Sequence, residues 1–216
     1  WSQILEQWDF NKQNANGRKG NNGTITGPAP VRGKIGMGYE FAANSNRIEV
    51  AANTAMQNTT RWACALWAKS DDFTTGDVWL LGGADASLAN FLRESGGNMQ
   101  CDMVSDGLGA QSAAAPSINE WHHYIAGRNP TDGTFITIDG VRRVSNTGGG
   151  ASFTFNANNT VIGFSDGELT AANAFDGIMD EVYILGGDVS AQQRAVLFAD
   201  GRNVIPKYKK VSHDAI

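Results

Sequence analysis

Residues 121–144 read WHHYIAGRNPTDGTFITIDGVRRV and give the clearest indication of the fold. Apolar and polar residues alternate along this stretch with the period of two that indicates β-strands. Two reversals interrupt the alternation, Asp132-Gly133 and Asp139-Gly140, and both supply residues that tolerate a positive φ angle. The stretch therefore predicts an antiparallel β-meander.

Period-two patterning also dominates the chain on both sides of this meander. Turns rich in Gly and Asn separate the apolar runs, and short strands at this spacing predict a sandwich or a barrel. The predicted strands are Ile4–Phe10, Arg47–Val50, Arg61–Lys69, Val78–Leu81, Asn98–Val104, Glu120–Gly127, Thr134–Asp139, Ser152–Asn156, Thr160–Phe164 and Gly177–Leu185. One helix is predicted from Ala191 to Ala199, because Ser190 and Gln193 form a capping box and Gly201 can end it.

Composition excludes several classes of function. The 216 residues carry 22 acidic and 17 basic side chains, and the net charge of -5 argues against nucleic-acid binding. No apolar run approaches the roughly 18 residues of a membrane-spanning helix, so membrane insertion is not expected. The 26 glycines and the charged fraction of 18% favour a turn-rich fold. The start at Trp1, without a leader, is what we expect of a processed or trimmed chain.

Three local patterns admit a structural and a chemical interpretation. Cys64 and Cys101 are either a disulfide of an oxidising compartment or two buried thiols. His122 and His123 are adjacent in a strand and point to opposite faces, so they cannot ligate one metal ion together. Residues 163–167 (GFSDG) match the G-x-S-x-G motif of α/β-hydrolases, but they lack the following helix and the triad order of that motif.

Carboxylates are the candidate ligands for a structural calcium ion. The alternation of the last long strand places Asp180 on the apolar face of Ile178, Val182 and Ile184, where its carboxylate needs N–H donors, an arginine or a cation. Asp9 begins an oxygen-rich run of residues that can also ligate calcium, although the EF-hand spacing is absent. Satisfaction by the backbone at Asp180 and a simple turn at Asp9 are the alternatives.

Aromatic side chains near polar loops are the candidate sugar platforms, because a flat ring stacks on a pyranose while neighbouring polar groups bind its hydroxyls. Trp79, Phe91 and Tyr39 lie close to such segments. The other tryptophans that stand in strongly alternating strands are assigned to the core: Trp8, Trp62, Trp67 and Trp121.

Two predicted loops supply the polar candidates for sugar binding. The first runs from Gly82 to Gly97 and contributes Asp85, Asn90, Arg93 and Glu94. The second runs from Ser165 to Asn173 and contributes Asp166 and Glu168.

Several sequence blocks, taken in order, carry a family resemblance. They are residues 8–11 (WDFN), 22–27 (NGTITG), 33–41 (GKIGMGYEF), 46–50 (NRIEV), 62–69 (WACALWAK), 121–126 (WHHYIA), 136–141 (ITIDGV), 161–163 (VIG) and 175–184 (FDGIMDEVYI). Together they resemble the concanavalin A-like lectin/glucanase superfamily, in particular its laminin G-like, pentraxin-related jelly-roll modules.

The resemblance implies an all-β fold, a two-sheet antiparallel β-sandwich or jelly roll with one short C-terminal helix. We expect the sandwich to span residues 1–205, and residues 206–216 to form a tail or linker. The resemblance also implies binding or adhesion rather than catalysis, and the E-x-D-x-x-E strand of the superfamily's hydrolases is absent from this sequence.

The functional prediction is a non-enzymatic, surface-exposed module that binds a polysaccharide or glycoconjugate in adhesion or host recognition. Its expected location is extracellular, on a cell surface or on a virion surface. The alternative is a structural or decoration protein of a virion or cell envelope, whose partners are neighbouring structural proteins.

Overall fold

The computed structural model describes residues 4–42, 46–53, 61–73, 78–83, 92–101, 110–111, 114–130, 133–146, 159–164, 174–186 and 189–199. These residues form fifteen strands and one helix. In chain order they are β1 (Ile4–Trp8), β2 (Gly23–Thr26), β3 (Ala29–Arg32), β4 (Met37–Ala42), β5 (Arg47–Val50), β6 (Trp62–Ser70), β7 (Val78–Gly83), β8 (Leu92–Ser95), β9 (Asn98–Cys101), β10 (Ala110–Gln111), β11 (His122–Asn129), β12 (Gly133–Ile138), β13 (Val141–Asn146), β14 (Thr160–Ile162), β15 (Asp176–Leu185) and α1 (Ala191–Ala199).

The strands pair into two antiparallel sheets. Sheet I has the order β13-β12-β11-β6-β15-β4-β3, with β1 also paired to β15. Sheet II has the order β10-β9-β8-β7-β14-β5-β2. The predicted two-sheet sandwich with one short C-terminal helix is therefore confirmed.

The core lies between the sheets and is built from alternating side chains. On β6, every second residue from Trp62 to Ala68 points into this core, whereas Ala63 and Ala65 point to the outer face of sheet I. Both faces of the strand are buried, which explains why its sequence is apolar almost throughout. Cys64 on β6 and Cys101 on β9 both lie in the core as free thiols.

Helix α1 covers the outer face of sheet I. Leu197 of the helix is buried in an apolar cluster with Ala63, Ala65, Ile125, Phe135, Tyr183 and Leu185 of the sheet. The predicted capping box is confirmed, because the Ser190 N–H donates to Gln193 Oε1 at 2.8 Å and the Gln193 N–H donates to Ser190 Oγ at 3.2 Å. These bonds satisfy N–H groups that the start of a helix leaves without intrahelical partners.

Predicted and observed strands agree best in the middle of the sheets. The predicted Arg47–Val50 strand matches β5, and the meander of residues 121–144 is confirmed as β11, β12 and β13. The sequence pattern missed the edge strands β2 and β3, whose residues are mostly exposed and therefore show no apolar alternation. The predicted Ser152–Asn156 strand lies outside the described residues.

A β-bulge in β15 places Asp180 on a different face of the strand from the one predicted. The pairing of β15 with β6 shifts register between Asp180 and Tyr183, and Glu181 has a φ of +50°. As a result Met179, not Ile178, shares the core between the sheets with Val182 and Ile184. The prediction that Ile178 and Asp180 share the face of those two residues was wrong, because one inserted residue reverses the alternation.

Candidate functional site

The structure describes part of the predicted sugar site. Trp79 on β7 and Arg93 on β8 stand directly opposite each other in the pairing of the two strands. The Arg93 Nε donates to Gln100 Oε1 on β9 at 3.0 Å, so the guanidinium is held along sheet II. The remaining predicted residues lie outside the described part of the chain: Asp85, Asn90, Phe91, Asp166 and Glu168.

The predicted loop from Gly82 to Gly97 was wrong at its C-terminal end. Residues Leu92–Ser95 form β8, which pairs with β7 and β9 in sheet II. Leu92 and Glu94 are both fully buried, and Glu94 Oε1 accepts a hydrogen bond from the backbone N–H of Gly97 at the following turn. The strand was missed because a buried glutamate breaks the expected apolar alternation.

The aromatic assignments hold for most of the tryptophans. Trp8 and Trp62 lie in the core between the sheets, as predicted. Trp67 is also buried, but on the outer face of sheet I, where its ring stacks on Phe198 at 5.8 Å between centroids. Trp121 is only half-buried, so its assignment to the core was wrong.

Tyr39 does not serve as an exposed platform. Its side chain is 1% exposed and packs edge-on against Phe10, with 5.1 Å between the ring centroids. The glycines near it in the sequence belong to the β3–β4 hairpin of sheet I and its turn, where Gly33 and Gly38 lie against β15 rather than open to a ligand.

The two predicted calcium ligands are each satisfied by the protein. Asp9 Oδ2 lies 2.6 Å from Arg18 Nη2, and Asp9 Oδ1 accepts a hydrogen bond from the Asn11 N–H. Asp180 is fully buried and accepts hydrogen bonds from the N–H groups of Ile35 and Glu181 at 2.7 and 2.8 Å.

These contacts fit a calcium site poorly. Burial raises the pKa of Asp180 to about 8, which favours the neutral acid over the anionic ligand that calcium requires. Among the residues that the structure describes, no group of three His, Cys, Asp or Glu side chains is placed to hold a metal ion. A structural calcium ion stays a prediction.

The described residues form a cleft at the edge of the sandwich, with a volume of about 420 Å³. We call it the edge cleft, and its lining includes Ala114, Ala115, Pro116, Ile138, Val141, Arg142 and Arg143. Its volume falls within the range of about 300–1,000 Å³ that small-molecule sites occupy.

The β12–β13 hairpin builds the floor of the edge cleft. Asp139 and Gly140 have φ angles of +50° and +75°, so the tight turn predicted from the Asp-Gly pair brings Val141 directly opposite Ile138. Ile138 is buried, whereas Val141 is 54% exposed. The floor is therefore apolar and accessible.

A second bulge, in β13, lies within the lining of the edge cleft. Thr137 pairs with Arg142 and Ile136 pairs with Val144, so Arg143 is the extra residue on β13. Bulges re-aim side chains and are frequent at sheet edges and beside binding sites. The neighbouring Arg142 places its guanidinium carbon 4.2 Å from the ring centroid of Phe135, which fixes it by a cation–π contact.

The segment from Ala114 to Glu120 forms the opposite wall. Its start is anchored by the Ala115 N–H, which donates to the Gly97 carbonyl at 2.7 Å, and its end by the Asn119 N–H, which donates to the Ser70 carbonyl at 2.7 Å. The wall is thus tied to both sheets, to the β8–β9 turn of sheet II and to β6 of sheet I.

Ser117, His122 and Asp139 brace this wall. The histidine lies between the serine and the aspartate, as in a catalytic triad. His122 Nδ1 lies 2.7 Å from Asp139 Oδ2, and His122 Nε2 lies 3.1 Å from Ser117 Oγ. However, Ser117 Oγ also donates to Glu120 Oε2 at 2.7 Å. A hydroxyl has one proton, and Ser117 donates it to Glu120, whereas the nucleophilic serine of a triad donates its proton to the histidine.

His122 and His123 point to opposite faces of β11, as predicted. His122 contacts the wall, whereas His123 is buried against Trp67 with 5.0 Å between the ring centroids. Burial lowers the pKa of His123 to about 3, so this ring is neutral at ordinary pH.

The edge cleft was not predicted from the sequence. Its one visible signal is Arg142-Arg143, the only Arg-Arg pair of the chain, which follows an Asp-Gly turn. The contribution of Ala114–Pro116 depends on tertiary contacts that no local pattern encodes.

Residues 42–193 match a laminin G-like family described as the concanavalin A-like lectin/glucanases superfamily. The sandwich topology and the order of the sequence motifs agree with this match. The chain belongs to this superfamily. No curated protein sequence matches it significantly.

Solved structures of similar fold include sugar-bound and toxin domains. Domain 4 of AbnA, an extracellular GH43 arabinanase from Geobacillus stearothermophilus, was solved with arabinotriose and is 18% identical, with a TM-score of 0.66 over 89% of this chain and 97% of that domain. The binding domain of Paraclostridial Mosquitocidal Protein 1 is 16% identical, with a TM-score of 0.75 over 94% of this chain and 53% of that one.

The ligand-binding domain of botulinum neurotoxin serotype D, solved with N-acetylneuraminic acid, is 13% identical, with a TM-score of 0.68 over 91% of this chain and 50% of that one. The chain therefore spans about half the length of the two toxin domains. At these identities the likeness shows a shared lectin-like fold.

Proposed function

We propose that this superfamily member is a non-catalytic carbohydrate-binding module of an extracellular or surface-exposed protein, and that it binds a glycan at the edge cleft. The observation that carries the proposal is the cleft itself, in which the exposed Val141 lies beside the buried Ile138 and whose lining includes Arg142 and Arg143. Sugars present apolar C–H faces and polar rims, and such a combination complements both.

The fold and its relatives support this proposal. The similar structures include domains solved with arabinotriose and with N-acetylneuraminic acid. No helix among the described residues is long and apolar enough to cross a membrane. Ser117 donates its hydroxyl proton to Glu120, which gives this serine the role of a brace in the wall of the cleft rather than that of a nucleophile.

The proposal is tested with a broad glycan array, followed by calorimetry with the glycans that bind. The informative variant is Val141→Asn, which removes an exposed apolar side chain from the floor. Losing the burial of a valine against the sugar weakens binding by about tenfold. The matched control is Ile25→Asn, since Ile25 is a 36% exposed β-branched residue on the edge strand β2 of sheet II.

Selective loss of affinity in Val141→Asn, with Ile25→Asn unchanged, supports the edge cleft. Equal affinities in both variants would place the sugar elsewhere, with the sheet II positions around Trp79 and Arg93 as the next to test. Absence of binding across the whole array, with and without calcium, would instead favour the structural or decoration role.

A further inference from the structure

The charge of the edge cleft is opposite to that of the whole chain. The chain carries a net charge of -5, yet the described lining of the cleft includes two arginines and no carboxylate. A concave site lined by one sign of charge raises the local concentration of ligands of the other sign. The cleft is thus a local positive site on an acidic protein.

The side chains of Arg142 and Arg143 differ in their contacts. Arg142 is held against Phe135 at 4.2 Å, on the outer face of sheet I, so its guanidinium is directed away from Ile138 and the core. Arg143 is exposed on the bulge and makes no hydrogen bond or ion pair within the described part of the chain. By contrast, Arg18 is paired with Asp9 at 2.6 Å and Arg47 with Glu49 at 3.6 Å. Arg143 is therefore available to a ligand.

Two carboxylates that lie close to the cleft lining in the sequence, Asp139 and Glu120, are already engaged. Asp139 accepts a hydrogen bond from the His123 N–H and contacts His122 Nδ1, while Glu120 accepts from Ser117. These contacts engage both carboxylates with the bracing histidine and serine, and neither forms a salt bridge with Arg143 among the described residues. The positive potential of the cleft is left for an external anion.

From these contacts, and resting on the proposed function, we propose that the edge cleft selects an acidic saccharide, one that carries a carboxylate or a sulfate. Arg143 binds the anionic group through paired N–H donors, which match carboxylate and sulfate oxygens. Val141 and Pro116 pack against the apolar face of the sugar ring.

The experiment uses matched acidic and neutral probes on the full chain. Trigalacturonate and its fully methyl-esterified form share one backbone and differ only in charge, and a chondroitin sulfate tetrasaccharide with its desulfated form separates sulfate from carboxylate. Affinities are measured by calorimetry at two salt concentrations. An acidic and neutral glycan array extends the comparison to other sugars.

We expect an acidic member of at least one pair to bind more tightly than its neutral or desulfated partner, with an advantage that shrinks at high salt. Arg143→Gln lowers this affinity by about 10- to 100-fold, because a hydrogen-bonded charge is lost. Arg143→Lys keeps the charge but lacks the paired donors, so its affinity lies between those of the wild type and Arg143→Gln.

The control variant is Arg32→Gln, which makes the same charge change at an exposed residue of β3, the opposite edge of sheet I. It leaves the affinity within about twofold of the wild type, as expected for a remote surface charge. Thermal unfolding of all variants checks that each one folds.

Three results would overturn the inference. Equal loss in Arg143→Gln and Arg32→Gln would mean that only net charge matters. Preference for neutral glycans would refute acidic selection while the proposed carbohydrate-binding function stands. A failure of every saccharide to bind would remove both proposals together.

Discussion

The backbone N–H of Ile35 donates a 2.7 Å hydrogen bond to Oδ2 of Asp180, a fully buried carboxyl group on β15. Ile35 belongs to the turn that joins β3 to β4, and a Cβ added at Gly33 of this turn would lie 2.5 Å from the same oxygen. The turn therefore closes directly over the carboxyl group. Burial raises the pKa of Asp180 to about 8.

The first prediction concerns the pH dependence of stability. Between the unfolded pKa of 3.8 and the folded pKa of about 8, the unfolded chain releases the Asp180 proton and the folded chain keeps it. The contribution of Asp180 to the free energy of unfolding is thus fully present below pH 4 and is lost as pH rises toward 8. Asp180→Asn, which resembles the protonated acid, is expected to gain stability relative to wild type across this window.

Urea unfolding of both proteins at pH 4.5, 6 and 8 measures this difference. The comparison with the variant is needed because His123, whose pKa burial lowers to about 3, acts in the opposite direction below about pH 6.5. Glu40→Gln, at an exposed position of β4, is the control. A constant difference between Asp180→Asn and wild type at all three pH values would contradict the prediction.

Asp180 also illustrates which parts of the structure the sequence could predict. Period-two alternation identified β1, β5, β6 and the hairpins of residues 121–144, because one or both faces of these strands are buried. It failed at Asp180–Glu181, where a single residue is inserted, and it gave no indication of the bulge at Arg143, since a bulge leaves no local signature in composition. The edge cleft depends on one of these bulges.

The second prediction concerns the two cysteines. Cys64 and Cys101 are buried free thiols, and burial raises the pKa of Cys64 to about 12. Because the thiolate is the reactive form, we expect no reaction of the native protein with a disulfide reagent such as DTNB. In denaturant without reductant, two thiols per chain should react. Fewer than two would reveal a disulfide and contradict the structure.

The third prediction concerns the start of helix α1. Ser190→Ala removes the Oγ that accepts the Gln193 N–H, and an N-cap of this kind contributes about 1 kcal/mol. The free energy of unfolding in urea should fall by about that amount, since the helix packs Leu197 on sheet I. The matched control, Gln192→Ala on the exposed side of the helix, should change it little. Equal effects would contradict the capping role.

The fourth prediction concerns Gly163, the first glycine of residues 163–167, whose sequence resembles a hydrolase motif. Gly163 has a φ of +86°, and a Cβ at this position would lie 2.4 Å from the ring of the fully buried Phe41. Gly20 has a similar φ of +97°, but a Cβ added there would meet nothing within 4 Å beyond its chain neighbours. Comparing the two positions separates backbone strain from overpacking.

Gly20→Ala is expected to lower the free energy of unfolding by about 1–2 kcal/mol, the cost of a left-handed alanine. Gly163→Ala carries the same strain and adds about 1–3 kcal/mol of overpacking against Phe41, whose ring cannot retreat because it packs on Phe175 at 6.0 Å. Urea unfolding of both variants measures the difference. Similar losses would mean that Gly163 is required for its φ angle alone; a larger loss in Gly163→Ala assigns this glycine to the packing of the core.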